Sequence, residues 1–461
     1  MTFARNPAAY ERLRHVSPDS RETQIAHIHH SLAATQWWSA DRLRQLQNLR
    51  LTRLIGLAQR HVPFYAGKLE GLIDAIDGSV IPAAWATLPL LTKAQIRSDG
   101  ARLRSQNLLS DTRLFATKTS GSTGVPLELV QTAEFWDNFY ATKLRLLTWH
   151  SVDLRHKTIE ILPPRGAPRA DPVRRLPAGE SPFNAIFDSG PYLRVSIFTA
   201  IEWQLELLVR EAPQYLLTQP SNLRLLLREL RRSGRRIPSL RLVRTQAGQL
   251  DPDLRTECRE VLGVPLVDVY GATEAGYIAF QCPKYDHYHV QSELNLVEVL
   301  GDDGRPCQPG QTGRIVVTPL FANVMPLFRY DLGDYAEVGP PCDCGRGLPV
   351  LRRIFGRQTE LLTLPSGEKR FSTFGSRIFT KIPSVAQFQI AQTSRTEIEV
   401  RIVADQPLNL NECAEITSGL TRQIGTAFTI RLKFVNAIPR TPGGKFMEFV
   451  SEIDKAIGAA E

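Results

Sequence analysis

Between Leu240 and Thr318 the chain alternates short runs of aliphatic and β-branched residues with turn signals. Strands are predicted at Leu242 to Thr245, Pro265 to Tyr270, Leu296 to Leu300 and Arg314 to Thr318. Upstream the spacing of apolar positions is helical. The first hundred or so residues read as mostly helix, with Leu49 to Gln59 well patterned and His61-Val62-Pro63-Phe64-Tyr65 closing the run. A strand at Leu114, Phe115 and Ala116 is followed by a helix over roughly Ala133 to Leu147, and Ile161 to Pro182, rich in Pro, Gly and Arg, reads as an exposed loop. After Gly356-Arg357 a second unit begins, with an alternating strand at Glu397 to Val403 and a helix near Glu412 to Ile424. The pattern predicts an α/β protein: a large N-terminal domain over residues 1–356, mixing sheets and helices, and a small α+β C-terminal domain over 357–461.

Length agrees with that division, because 461 residues exceed what one core usually holds. The hydrophobic fraction of 43% supplies a sizeable core, yet no run of about 18 apolar residues exists to span a bilayer. The N-terminus lacks an apolar signal stretch, so a cytoplasmic protein with no membrane partner is expected. The net charge of +9 points to an anionic cofactor rather than nucleic acid, for which no recognition signature is present. Its densest stretch, Arg224, Arg228, Arg231 and Arg232 among leucines on a helix ending near Gly234, reads as an amphipathic helix with a solvated basic face. His27, His29 and His30, with no cysteines nearby, read as surface.

Candidate chemistry begins at Thr119-Ser120-Gly121-Ser122-Thr123-Gly124. Four hydroxyls and two glycines in six residues suit a phosphate: glycine lets the backbone approach an anion, and hydroxyls and N–H groups donate to its oxygens. The loop ends in Val125-Pro126 and lacks the Gly-Lys-Ser/Thr of a Walker loop, so a catalytic cation must come from elsewhere. Downstream lie Asp268-Val269-Tyr270-Gly271-Ala272-Thr273-Glu274, Arg329-Tyr330-Asp331-Leu332-Gly333-Asp334, Gly356-Arg357, and Pro439-Arg440-Thr441-Pro442-Gly443-Gly444-Lys445.

In this order the motifs resemble those of adenylate-forming enzymes, in the phenylacetate-CoA ligase-like branch. His61 to Tyr65 and Leu88-Pro89-Leu90-Leu91-Thr92-Lys93 are similar to that branch's N-terminal region. The resemblance implies a large adenylation domain and a small C-terminal domain that rotates about a hinge near Arg357. It assigns the loop to the phosphates of ATP, Tyr270 and Gly271 to the adenine side, Thr273 to phosphate, and Glu274 to Mg²⁺. Asp334 would accept the ribose hydroxyls, with Arg357 nearby. Lys445 would be the cation between the substrate carboxylate and the α-phosphate, and Ala247 and Gly248 would border the acyl pocket. The activity implied is ATP-dependent activation of a small-molecule carboxylic acid, aryl or arylacetic, to an acyl-adenylate, followed by transfer to the thiol of CoA. An amine or a carrier-protein thiol is the alternative acceptor, and a homodimer is compatible with the sequence. Two departures stand out: Thr359 then Glu360 where the family has an acidic residue two after the hinge arginine, and Ala247-Gly248-Gln249 where many relatives carry Gly-Glu.

Six cysteines do not form a secreted disulfide framework. Cys282, His289, Cys342 and Cys344 offer three thiolates and one imidazole, a set suited to tetrahedral structural zinc, with His287 as the alternative imidazole and reduced loop cysteines as the plainer reading. Some relatives in the same branch carry a similar Cys, His and Cys-x-Cys arrangement.

Overall fold

The structure is a computed structural model, and it describes residues 17, 19–107, 112–119, 127–164, 171–357, 361–371, 377–380, 382, 384–441, 444 and 446–453. A twelve-stranded sheet organises the large domain. Its central strands, Leu266–Ala272, Leu242–Gln246, Tyr215–Thr218, Thr158–Leu162 and Tyr192–Ser196, are neighbours in that order and parallel. From Leu266–Ala272 outward the pairing turns antiparallel, through Gly276–Gln281, Tyr288–Val290, Val350–Arg357, Tyr330–Val338, Thr312–Pro319 and Asn295–Leu300. Thr158–Leu162 and Tyr215–Thr218 are buried along their whole length, as strands covered on both faces must be. Helices Ile201–Glu211, Pro220–Ser233 and Pro252–Leu262 cover one face, burying Leu205, Leu208, Leu223, Leu226 and Leu254 against it. Helix Ala133–Trp149 covers the other, with Leu146 and Trp149 packed on Tyr215, Leu242 and Val267.

The parallel strands have a switch point. From Thr158–Leu162 the chain crosses first to Tyr192–Ser196 on one side and then to Tyr215–Thr218 on the other. A crevice opens at the carboxyl ends of strands flanking such a reversal, which is where open α/β sheets hold ligands.

The small domain has its own core. Strands Thr429–Phe434, Glu397–Ala404, Val385–Gln392 and Phe449–Ser451 form a four-stranded sheet, on which helix Leu410–Ile424 buries Ile416, Leu420 and Ile424. An Asn409–Glu412 capping box starts that helix. Both the mixed α/β class and the α+β character of the C-terminal unit are as expected, and each sequence-predicted strand is present within about two residues of its expected ends.

Four expectations need correction. The hydroxyl-rich loop joins strand Leu114–Lys118 to a second strand, Glu128–Thr132, rather than to the helix; the two form an antiparallel hairpin. Ile161 to Pro182 is not all exposed loop: Ile161 and Leu162 end a buried strand, Val173–Leu176 adds an edge strand, and Glu180 is buried. His27 and His30 are exposed, but His29 is buried against helix Ala133–Trp149. The arginine face of Pro220–Ser233 is solvated at Arg231 and Arg232 but not at Arg224 and Arg228, which pair with acidic residues of the small domain. Among the described residues no helix is long and apolar enough to cross a membrane.

Candidate active site in the crevice of the large sheet

A cavity of about 290 Å³ lies at the carboxyl ends of the parallel strands. Leu266–Ala272 is the strand at which parallel pairing gives way to antiparallel, and the Tyr270-to-Glu274 motif leaves its end. Gly271 has a steric reason: a Cβ there would come within 2.6 Å of the Gly276 carbonyl oxygen, so only glycine lets the two segments close. Tyr270 donates its hydroxyl to Asp334 Oδ2 at 2.7 Å, joining two motifs 64 residues apart. Glu274 is buried at the cavity and accepts from the Tyr330 hydroxyl at 3.0 Å, so the Arg329-to-Asp334 segment both supplies Asp334 and holds the glutamate. Thr273 is exposed, and its carbonyl accepts from Gln131 Nε2 at 3.0 Å, tying the motif to the hairpin that carries the hydroxyl-rich loop. The backbone of Arg357 lies opposite Asp334 in the antiparallel register.

Ala247 and Gly248 also line the cavity. Ala247 adopts a positive φ of 63°, and a Cβ on Gly248 would approach Pro220 Cδ to 3.0 Å, so this turn lies tightly against the start of helix Pro220–Ser233. Of the hydroxyl-rich loop, Thr119 borders the cavity and closes the hairpin, its hydroxyl accepting from the Leu127 N–H at 2.9 Å. Ser120, Gly121, Ser122, Thr123 and Gly124 lie outside the described residues, as does Lys445. The chain neighbours of position 445 are placed: Gly444 sits against Ile197 and Pro163, where an added Cβ would be within 2.8 and 2.9 Å, and Phe446 lines the cavity. The small domain therefore forms one wall of the crevice.

Sequence reasoning missed several wall residues. Lys93 lines the cavity although it was read only within a motif; Leu91, two residues before it, exchanges backbone hydrogen bonds with Arg329 and Asp331 at 3.0 Å. Asp268 lies buried beneath the motif, its carboxyl pushed up to about 6 by burial, against the lowering effect of the Thr245 and Tyr288 hydroxyls at 2.6 and 2.8 Å. Arg224 and Glu448 come from opposite domains and border the same cavity. Only the acidic position before Tyr-Gly could have been found in the sequence; the others depend on contacts across the fold.

Away from this crevice, Cys282, His289, Cys342 and Cys344 converge, their ligand atoms all within 4.8 Å of one another. Cys344 Sγ is 3.3 Å from His289 Nε2 and Cys282 Sγ is 3.9 Å from Cys342 Sγ. The other ring nitrogen of His289, Nδ1, faces the Leu348 carbonyl at 3.4 Å, which leaves Nε2 as the inward donor. His287 is not part of the group, so His289 is the imidazole the fold brings in. Arg346 is buried with its guanidinium stacked on Trp37 and Trp149, and it has no carboxylate ion pair among the described residues; its Nη1 is 3.6 Å from Cys344 Sγ. Burial raises the Cys344 thiol, but the N–H and guanidinium of Arg346 outweigh it and bring the thiol below its ordinary value. Three cysteines and one histidine converging with a buried counter-cation fit a Cys₃His metal centre.

The family model for "AMP-binding enzyme" matches residues 193–325, and that for "CapK C-terminal domain" matches 364–452. The chain is 28% identical to the phenylacetate-coenzyme A ligase of Thermus thermophilus over 45% of this chain and 48% of that one. It is 27% identical to the indoleacetate–CoA ligase of Aromatoleum aromaticum over 60% and 53%, and 25% identical to the Escherichia coli phenylacetate-coenzyme A ligase over 71% and 74%. In the first two cases the match spans about half the length of the relative. Among solved structures, 2-hydroxyisobutyryl-CoA ligase in the postadenylation state superposes with a TM-score of 0.69 over 96% of each chain at 15% identity, which establishes a shared fold. The chain is thus similar to adenylate-forming CoA ligases in these relatives and in one family model, and it shares their fold.

Proposed function

We propose that this protein couples ATP to the activation of a carboxylic acid and then transfers the acyl group to the thiol of CoA, in the cytoplasm. The observation that carries the reading is the joining of Tyr270, Asp334 and Glu274 in one crevice at the carboxyl ends of the parallel strands, walled by the small domain. In the first step an oxygen of the substrate carboxylate attacks the α-phosphorus, the bond to the β-phosphate oxygen breaks, and pyrophosphate leaves with the electron pair. In the second, the sulfur of CoA attacks the acyl carbon and AMP leaves, its oxygen carrying the electron pair, while the thiol proton passes to solvent.

Each residue has a defined task. The Tyr270 ring lines the cavity as a flat apolar surface for adenine, and its hydroxyl fixes the Asp334 carboxylate, whose two oxygens match the two ribose hydroxyls. The hydroxyl-rich loop from Thr119 to Gly124 and the Thr273 side chain are assigned to phosphate. Glu274, oriented by Tyr330, supplies a carboxylate for Mg²⁺, whose charge offsets the repulsion between carboxylate and triphosphate. Lys445 is assigned to the reacting oxygens, stabilising the transition state by placement. Ala247 and Gly248 border the acyl site, and the hinge is assigned to the neighbourhood of Arg357.

We assign the Cys282, His289, Cys342 and Cys344 group to zinc with a structural role: four protein ligands close the coordination shell, and the group ties Cys282 to a segment 60 residues on. The test of the activity is ATP–pyrophosphate exchange across a panel of aryl, arylacetic and short aliphatic acids, followed by competition among CoA, amines and a carrier-protein thiol for the activated acyl group. Acid-dependent exchange and thioester formation are expected. Exchange with no acid on the panel would overturn the reading, and preference for an amine or carrier thiol would overturn the acceptor.

A further inference from the structure

Where helix Ala133–Trp149 covers the large sheet, charged side chains gather away from the crevice. Lys143 comes from the helix, and Arg194, Glu160 and Arg244 come from strands Tyr192–Ser196, Thr158–Leu162 and Leu242–Gln246. The register sets these three in one row across the sheet: Arg194 opposite Glu160, Glu160 opposite Leu217, Leu217 opposite Arg244. Glu180 joins from the connection between strands and pairs with both Lys143 and Arg194. Glu160 accepts from the Tyr192 hydroxyl at 2.7 Å and lies 3.5 Å from Arg194 Nε. Leu217 stands between Glu160 and Arg244, and a guanidinium two strands away, at about twice the 4.8 Å strand spacing, is left out of the pairing. Arg244 is 3% exposed, its Nε has no hydrogen-bond partner, and it has no ion pair among the described residues.

The charges do not balance. Lys143, Arg194 and Arg244 stand against Glu160 and Glu180, which leaves one positive charge in the interior. The neighbouring groups supply no anion. Burial drives the Tyr192 phenol well above its ordinary value and brings His150, which also feels the Arg244 charge, down to about 4, so both are neutral near pH 7. The His156 imidazole accepts from Arg241 at 2.8 Å and adds no negative charge. Arginine cannot shed its proton to escape the cost of burial, so compensation must come from outside the chain.

A cavity of about 20 Å³ lies at this place, lined by Arg244, Lys143, Glu180, Thr158, Tyr192 and Ser189 among others. Its wall is built close. A Cβ on Gly179, whose φ is 85°, would come within 2.5 Å of Ser189 Cβ, and one on Gly190 would overlap the Arg155 carbonyl. About 10–15 Å³ on this measure admits one water, so the space takes a single-atom ion and excludes phosphate or a carboxylic acid. Glu180 on the same wall repels an anion, but its charge is already shared between Lys143 and Arg194.

We infer that this cavity is a structural site for a monoatomic anion, chloride, which neutralises Arg244 and ties strand Leu242–Gln246 to helix Ala133–Trp149. The site is separate from the acid-activation crevice and does not depend on the reading of that crevice.

The test uses chloride and bromide on the whole protein. Thermal unfolding at constant ionic strength should show a melting temperature about 2 °C or more higher in chloride than in gluconate, which is too large to enter. Crystals grown with bromide should give an anomalous peak beside the Arg244 guanidinium. Arg244→Met should abolish the chloride dependence. Glu160→Gln keeps an acceptor for Tyr192 but raises the excess charge to two, so it should lower the chloride concentration needed for half the stabilisation by roughly tenfold; a merely structural role for Glu160 would not tighten binding. Equal melting in chloride and gluconate overturns the site, and a bromide peak alongside such equality would mean binding at crystal concentration only. If Arg244→Met does not fold, Glu160→Gln and the bromide crystal decide: no peak, or unchanged chloride dependence in Glu160→Gln, contradicts the inference.

Discussion

Two arginines on helices that cover opposite faces of the large sheet show how one kind of side chain serves opposite purposes. Arg145, on Ala133–Trp149, is 2% exposed and grips Glu293, which is fully buried, through both carboxylate oxygens at 2.6 and 3.1 Å. Thr35 donates to the same carboxylate at 2.6 Å, Gln291 accepts at 2.9 Å, and the Leu32 carbonyl takes a further bond, so the cluster fastens helix Arg21–Thr35 to the sheet. All its members belong to the large domain, and none can leave without orphaning another. Arg224 makes comparable ion pairs, but one partner, Glu448, belongs to the small domain, and Asp251 and Glu257 of its own domain suffice without it. The cost of losing a partner is set by how many remain, more than by the strength of any one pair.

The largest effect that would break this comparison is expected from Arg145→Met. Leaving Glu293 unpaired in the interior should cost about 3–5 kcal/mol in urea unfolding, and the double variant with Glu293→Leu should recover much of it. A loss below about 1 kcal/mol would mean the cluster is as dispensable as an exposed ion pair. Next in size is the metal group: purified protein should contain one zinc per chain, and Cys344→Ser should lose it and lower the melting temperature by several degrees. Metal-free wild type of unchanged stability would dismiss that site.

The Arg145 cluster also has a pH signature. Burial, and then the adjacent Arg145 charge, push the imidazole of His29 down to about 4. The unfolded value is near 6.5, so between about pH 4 and 6.5 the unfolded chain binds more protons. Stability from a neutral His29 is therefore complete above about pH 6.5 and is lost as pH falls toward 4, by no more than about 3.5 kcal/mol. His29→Asn should flatten that part of the stability profile; an unaltered slope would place the titration elsewhere. Smallest is the pair of Arg228 with Asp405 between the domains: Asp405→Asn should change overall stability by only about 0.2–1 kcal/mol in thermal unfolding.

How much of this was legible in the sequence follows from the range of the interactions. The parallel strands Leu242–Gln246 and Leu266–Ala272 declare themselves as short apolar runs, and the helix Leu410–Ile424 by its period, because those signals are local, whereas the buried strands Thr158–Leu162 and Tyr215–Thr218 were not read from the sequence. Tyr270, Glu274 and Asp334 could be assigned because their order along the chain resembles a known one. The helix Pro220–Ser233 shows where its polar face lies but not what lies across from it: Asp405 and Glu448 are 177 and 224 residues from their partners. His29 misled for a related reason, since its neighbours His27 and His30 are indeed exposed and only the packing of helix Ala133–Trp149 covers the residue between them. The strand Glu128–Thr132 escaped notice because it runs without a break into that helix, with Thr132 serving as both last strand residue and N-cap.

The central claim is that the crevice activates a carboxylic acid with ATP, and acid-dependent pyrophosphate exchange in wild type and Glu274→Gln tests it most directly. The account predicts exchange that requires the acid and falls by about 10²-fold or more when Glu274 loses its charge. Exchange that persists undiminished in Glu274→Gln would contradict it.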